Sequence, residues 1–255
     1  TVEFSGLMTD RIHSRVTETI KRLLAVYVIM TIAEAVLLAL GKMPVFDAVC
    51  HSFSTVSTGG FSTRNEGIAA FPAPYIKTII ILFMFFAGMN PVLFYLAFKK
   101  SFSKIVHNIE FRAYLAMVVL FSLVIVFLNF RNESVSFSTA LTEGLFNTVS
   151  VITTTGYYTA DFSLWGSLAL LLMFFLMFPG GMAGSASGGI KVIRLLVAAV
   201  NARNESRRMI HPNAFIPVRI DRRRVASGTV HNLLIFIVIY LITFCAGALL
   251  ISFLG

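Results

Sequence analysis

The chain has 255 residues, of which 57% are hydrophobic and 13% charged, with a mean hydropathy of +0.83. Soluble domains average about 25% charged residues, so a soluble globular domain is excluded. The net charge of +9 does not form one basic surface, and Cys50 and Cys245 are too few and too distant for a disulfide framework or a cysteine metal site.

In chain order, a basic cluster (Arg11, Arg15, Lys21, Arg22) precedes an apolar run over residues 23–41, long enough to cross a bilayer, which takes roughly 18 residues or more. A short amphipathic stretch, 45–54, leads into a loop rich in Ser, Thr and Gly. A second apolar run, 75–98, ends at Lys99, Lys100 and Lys104, with Arg112 just beyond. The pattern then repeats: an apolar run over 113–130, an amphipathic stretch over 138–150, a second Thr/Gly loop and a shorter apolar run, 164–178, that stops at Pro179. Nine further basic residues lie between Lys191 and Arg224, and a last apolar run covers 233–254. The expected fold class is an all-α polytopic membrane protein. Its unit is membrane helix, short pore helix, loop, membrane helix, repeated around a pore. The expected divisions are one repeat over 1–104, a second over 105–224 with a broken inner helix and a basic cytoplasmic segment, and the first helix of a further repeat over 225–255. Because the chain begins on Thr1 rather than Met and ends as an apolar run closes, it reads as part of a longer chain.

Of the 21 Lys and Arg, 17 fall in clusters that alternate with the apolar runs so that all can face one side. The positive-inside rule makes that side cytoplasmic. The basic balance therefore reports topology, and no nucleic-acid partner is expected. Both Thr/Gly loops then enter from the outer face.

Gly59 aligned with Gly156, 97 residues on, sets Val56-Ser57-Thr58-Gly59-Gly60-Phe61-Ser62 against Thr153-Thr154-Thr155-Gly156-Tyr157-Tyr158-Thr159. Extended backbone at membrane depth is tolerated where protein buries it or it lines a wet cavity. A row of Thr and Gly carbonyls in such a place can replace the hydration shell of a cation. Gly permits the dihedrals that turn successive carbonyls the same way, and the C-terminal ends of the short helices bring partial negative charge. Oxygen ligands with no carboxylate among them suit a monovalent ion better than calcium or magnesium. The expected ion-binding residues are Ser57, Thr58, Gly59 and Gly60 in one loop and Thr154, Thr155, Gly156 and Tyr157 in the other.

Residues 178–191, "FPGGMAGSASGGIK", interrupt the second repeat's inner helix. Pro179 removes a donor and clashes with the preceding turn. Gly180, Gly181, Gly184, Gly188 and Gly189, interleaved with Ser185 and Ser187, exclude a continuous helix. A flexible segment at that depth is expected to lie under the filter and gate it, with Lys191 at the inner mouth or anchoring the helix end. Glu143, in the second pore helix, is expected to support the filter from behind, since an intramembrane carboxylate is a functional candidate. Glu34, inside the first run, is expected to pair or to snorkel.

The stretches "HSFSTVSTGGFSTRN", "LTEGLFNTVSVITTTGYYTADF" and "PGGMAGSASGGIKVIR", with the repeat layout, resemble the Trk/Ktr/HKT superfamily of potassium transporters, and the membrane subunit of its Trk branch most. The resemblance implies four repeats around one pore, of which this chain would supply the second, the third and the opening helix of the fourth. It implies potassium as the transported ion, no organic cofactor, a homodimer in the cytoplasmic (inner) membrane of a bacterium, and a cytoplasmic nucleotide-binding regulatory subunit of the TrkA type. Gly at both matched filter positions goes with potassium in this superfamily, where Ser in related plant proteins goes with sodium. Neither loop reads TVGYG, so the resemblance implies weaker discrimination against sodium than a potassium channel has. The Arg-rich stretch 201–224 suits either membrane lipid headgroups or a soluble partner.

Two other classes compete. A transporter of small organic solutes would place broken helices at corresponding positions of both halves, and residues 75–98 show only Asn90-Pro91, expected to do no more than kink the helix. An intramembrane serine hydrolase using Ser185 or Ser187 would need a base such as His beside the nucleophile, and the spacing does not provide one. No enzymatic activity is expected.

Overall fold

The computed structural model describes residues 16–131, 136–211, 216–221 and 223–254. Arg11, Arg15 and Arg222 of the basic clusters lie outside them. The chain forms two compact units, one up to Val192 and one from Ile193 onward.

In the first unit, α1 (Val16–Leu40) is followed by a tight turn in which Lys42 takes a left-handed conformation, φ 67°. Helix α1 has two distinct faces. Leu24, Val28, Ile32, Val36 and Leu40 recur every four residues and are exposed, whereas Met30, Glu34 and Leu38 form a buried stripe. One face thus suits lipid and the other packs inward. The next helix, α2 (Val45–Val56), has 12 residues and a length of about 18 Å, too short for a hydrocarbon core of about 30 Å. Val56 packs with Met30 of α1 and Phe83 of α3 (Pro74–Ala87).

Helix α3 is separated from α4 (Pro91–Phe98) by a 100° bend. The expected kink is therefore a break, and its cause is local. Pro91 pushes the residue before it out of the helical region, and Asn90 is extended (φ −68°, ψ 122°) with its side chain accepting from the Val92 amide at 2.9 Å. A short α5 (Phe102–Val106) leads to α6 (Ile109–Phe130), whose amino end is capped by Asn108 accepting from the Phe111 amide at 2.9 Å. Helix α7 (Phe137–Ile152) starts at Ser136, which accepts from the Thr139 amide at 3.3 Å. It packs tightly on α6, since a Cβ at Gly144 would lie 2.7 Å from a Val126 methyl carbon. Helix α8 (Ser167–Leu176) leads into the Gly-rich segment.

The second unit contains most of α9 (Val192–Ile210), a two-stranded antiparallel hairpin of β1 (Arg219–Ile220) and β2 (Arg223–Arg224), and α10 (Ser227–Leu254). Arg208 ties α9 to the chain before the hairpin, donating to the Ile216 carbonyl at 2.7 Å and pairing with Glu205 at 2.5 Å. Helix α10 exposes Val238, Ile242, Leu249 and Ile251. Together with α1 and α6 it is long and apolar enough to cross a membrane, and the bent α3–α4 pair makes a fourth candidate span.

Candidate functional site

The two Thr/Gly loops leave their helices in the same way. Thr58 and Thr154 are both left-handed (φ 54° and 56°), as are Gly60 and Gly156 (φ 72° and 84°). The Thr58 amide donates to the Thr55 carbonyl and the Thr154 amide to that of Val151, each at 3.0 Å. One residue on, Gly59 donates to Ser54 at 2.7 Å and Thr155 to Ser150 at 2.9 Å. Equivalent residues are therefore 96 apart, and the expected 97-residue register is corrected. Gly60, not Gly59, matches Gly156, and Gly59 matches Thr155. Both residues of the Gly-Gly pair can align by letter, but only Gly60 has the positive φ that favours Gly.

The loops meet. A Cβ on Gly60 would collide with the Thr155 carbonyl oxygen. Tyr157 is buried, and its hydroxyl lies 3.3 Å from the His51 carbonyl and 3.2 Å from that of Phe61, both around the first loop. Its own carbonyl accepts from Ser150 Oγ at 2.6 Å. Tyr157 therefore braces one loop against the other. Ser57 is likewise occupied, its carbonyl accepting from Thr58 Oγ1 at 2.7 Å. Among the described residues nothing donates to the main-chain carbonyls of 58–60 or 154–156. A Cβ on Gly156 would meet nothing within 4 Å.

Support behind the first loop comes from residues the sequence reading passed over. Asp47, in the first turn of α2, accepts from Thr63 Oγ1 at 2.6 Å and pairs with Arg64 at 2.6 Å. The Thr63 hydroxyl and the Arg64 guanidinium hold its carboxyl below the usual carboxylate range. His51, fully buried, lies 2.6 Å from the Asp47 carbonyl through Nδ1 and 2.9 Å from Ser62 Oγ through Nε2. Glu143, 96 residues after Asp47, makes no side-chain hydrogen bond to the second loop among the described residues. That task falls to Asn147, which donates to Thr159 Oγ1 at 3.4 Å. The expected supporting role of Glu143 is corrected to this extent. An acidic residue in the first turn of a short helix, near its positive dipole end, is a signal that could have marked Asp47. Glu34 neither pairs nor snorkels: it is fully buried, and its carboxyl oxygens have no hydrogen-bond partner among the described residues. The Thr55 hydroxyl beside it gives its proton to the His51 carbonyl at 2.8 Å.

The Gly-rich segment is folded rather than slack. Its ends are joined as Gly180 donates to the Ile190 carbonyl and Ile190 to that of Phe178, both at 2.9 Å. Ser187 Oγ accepts from the Gly181 amide at 2.8 Å and lies 2.7 Å from Ser185 Oγ. Lys191 curls back over both serines, reaching the Ser187 carbonyl, Ser187 Oγ at 3.1 Å and Ser185 Oγ at 3.3 Å. Its ammonium clamps the segment from within. Among the described residues no histidine bonds either serine.

Among the described residues, three hydrogen bonds link residues 182–188 of the segment to their surroundings. Met182 donates to the Gly88 carbonyl at 2.8 Å, so the break between α3 and α4 supplies an acceptor. Ala183 donates to Glu110 Oε1 at 2.6 Å. Gly188 donates to Thr154 Oγ1 at 2.6 Å, which joins the segment to the second loop. Glu110, buried in the first turn of α6, was not singled out from the sequence, although an acid opening an apolar run is a signal of the kind that marks such sites.

Comparison with known proteins agrees with this geometry. The family described as TrkH, cation transport protein, matches residues 4–254. The Trk system potassium uptake protein TrkH of Salmonella typhimurium is 34% identical over 98% of this chain and 52% of its own length. The TrkH of Vibrio parahaemolyticus is 36% identical over 86% of the chain and 46% of its own. The crystal structure of the potassium transporter TrkH from Vibrio parahaemolyticus superposes with a TM-score of 0.86 at 33% identity, covering 93% of this chain and 52% of that one. The chain spans about half the length of the curated relatives it matches. Apolar helices long enough to cross a membrane and a family match over nearly the whole chain lead to one conclusion: the chain belongs to the TrkH family of cation transport proteins.

Proposed function

We propose that this chain forms part of a potassium uptake protein of the bacterial cytoplasmic membrane, in which the two Thr/Gly loops bind the ion and the Gly-rich segment gates its path. The observation that carries the reading is the pair of equivalent loops whose carbonyls at 58–60 and 154–156 have no donors among the described residues. Carbonyls left in this way at membrane depth are costly unless water or a cation meets them. No carboxylate belongs to either loop, which favours a monovalent ion, and relatives of the chain are named potassium uptake proteins. The binding set is Thr58, Gly59, Gly60, Thr154, Thr155 and Gly156, with Ser57 and Tyr157 holding the loops.

The gate reading rests on the position of residues 179–191 against Thr154 and on the hydrogen bonds that fasten residues 182–188 there. A homodimer, a regulatory subunit docked on the basic segment, and lipid contact along α1 and α10 complete the reading. A solute carrier remains the alternative from another class. The break at Asn90-Pro91 removes one objection to it, because both repeats now have interrupted inner helices.

Rubidium uptake into proteoliposomes holding the full-length protein tests the proposal. The expected result is uptake that potassium inhibits strongly and sodium weakly; absence of any monovalent-cation flux would overturn it.

A further inference from the structure

Thr58 and Thr154 occupy the same position in the two loops and share a backbone conformation that disfavours β-branched residues. Their hydroxyls are used differently. Thr58 Oγ1 is satisfied locally, donating to the Ser57 carbonyl at 2.7 Å. Thr154 Oγ1 instead accepts the Gly188 amide at 2.6 Å, across 34 residues of sequence. Gly188 leaves room for this approach, since a Cβ there would lie 3.3 Å from Thr154 Oγ1. The other two fastenings of the segment, Gly88 and Glu110, belong to helices α3–α4 and α6. Of these three hydrogen bonds among the described residues, the Thr154 bond is the one that connects it to a residue of the ion-binding set.

Resting on the filter and gate reading above, we infer that Thr154 is the latch between them: its hydroxyl oxygen serves the Gly188 amide when the segment is docked and the ion when it is not. The Gly188 N–H turns its positive end toward any cation held by the same oxygen, and at that range the two repel, although the hydroxyl has a second lone pair. Ion occupancy beside Thr154 and docking of the segment therefore oppose each other. By linkage the effect is reciprocal, so potassium in the loops loosens the segment by the same factor that the docked segment weakens potassium. The protein would sense its own cargo at the entrance to the gate, with no separate effector site.

The test uses the full-length protein in proteoliposomes, with Cys50 and Cys245 replaced and a single cysteine at Ala186, within the segment. Modification of that cysteine by a membrane-impermeant thiol reagent is followed with potassium replaced by choline at constant ionic strength. In the parent the rate should rise with potassium by about fivefold, the factor one ordinary hydrogen bond contributes. In Thr154→Val, which keeps the shape and removes the acceptor, the rate should be high throughout and independent of potassium, and basal rubidium flux should increase by a similar factor. Thr154→Ser, which keeps the acceptor, should retain the parent's potassium-dependent rise and a basal flux near the parent's. Potassium-independent labelling in the parent would overturn the latch, and that measurement stands even if Thr154→Val does not fold. So would labelling in Thr154→Val that follows potassium as the parent's does. Deletion of residues 180–189 separates the two ideas. If it raises flux while labelling in the undeleted parent ignores potassium, the gate stands and the latch fails; if it leaves flux unchanged, the gate reading itself has failed.

Discussion

Gly60 and Gly156 are equivalent in backbone and opposite in surroundings, so the same substitution should act differently at each. A side chain on Gly60 would collide with the Thr155 carbonyl, adding overpacking of about 1–3 kcal/mol to left-handed strain of about 1–2 kcal/mol. Gly156 has the strain but open space. Gly156→Ser is therefore expected to yield folded protein with a lower potassium-to-sodium flux ratio, while Gly60→Ala loses thermal stability first. Melting curves and paired rubidium and sodium fluxes check both; an unchanged ion ratio in well-folded Gly156→Ser would remove Gly156 from the filter. Asp47 gives a pH-dependent counterpart. Its carboxyl is held below the ordinary value by Thr63 and Arg64, so its contribution is full above the unfolded-state value of about 3.9. That contribution is lost as pH falls through the lower, folded-state value. Asp47→Asn should melt at a lower temperature than the parent near neutrality, with the difference vanishing at acid pH. A difference that persists there would assign the effect to packing instead.

At the scale of elements, the two interrupted inner helices have different causes. Asn90-Pro91 breaks its helix through the steric demand of one proline, and the Asn90 side chain then caps the new helix. Pro179 with five glycines opens the other into a folded segment held by its own serines and by Lys191. The Gly88 carbonyl exposed by the first break accepts Met182 from the second, so the interruptions stabilise each other. Asn90→Ala should lose about 1 kcal/mol, the worth of an N-cap, measured by thermal unfolding; no loss would mean that Pro91 alone sets the break. Deletion of residues 180–189 should raise basal flux and weaken its dependence on a regulatory partner without changing the preferred ion, because selectivity is assigned to residues 58–60 and 154–156. A plug must cost only a few kcal/mol to displace if differential binding of a partner is to move it, and a handful of hydrogen bonds at about 1 kcal/mol each meets that condition.

For the whole molecule, the basic clusters fix orientation. With 17 of 21 Lys and Arg assigned to the cytoplasm, a cysteine replacing Arg208 should resist membrane-impermeant reagent added outside intact cells, whereas one replacing Arg64 should react. Labelling of position 208 from outside would overturn the topology and, with it, the outward direction of both loops.

The membrane class, the spanning runs, the basic clusters and the presence of two Thr/Gly loops were legible in the sequence. Each depends on local composition or on a periodicity of a few residues, and no long-range contact is needed to produce them. The family resemblance was legible for the same reason, since its motifs lie in short stretches. The 96-residue register was not, because Gly59 and Gly60 are identical letters and only φ distinguishes the one that needs to be Gly. Nor did residue type disclose that Tyr157 braces the opposite loop or that Asp47, rather than Glu143, anchors a loop to its helix. Those roles depend on which groups meet across tens of residues. The same holds for the Gly-rich segment: its glycines announce that a helix must break, but only the tertiary fold places Gly188 against Thr154 and Ala183 against Glu110. Buried backbone donors must find acceptors, and which acceptors they find is decided by packing.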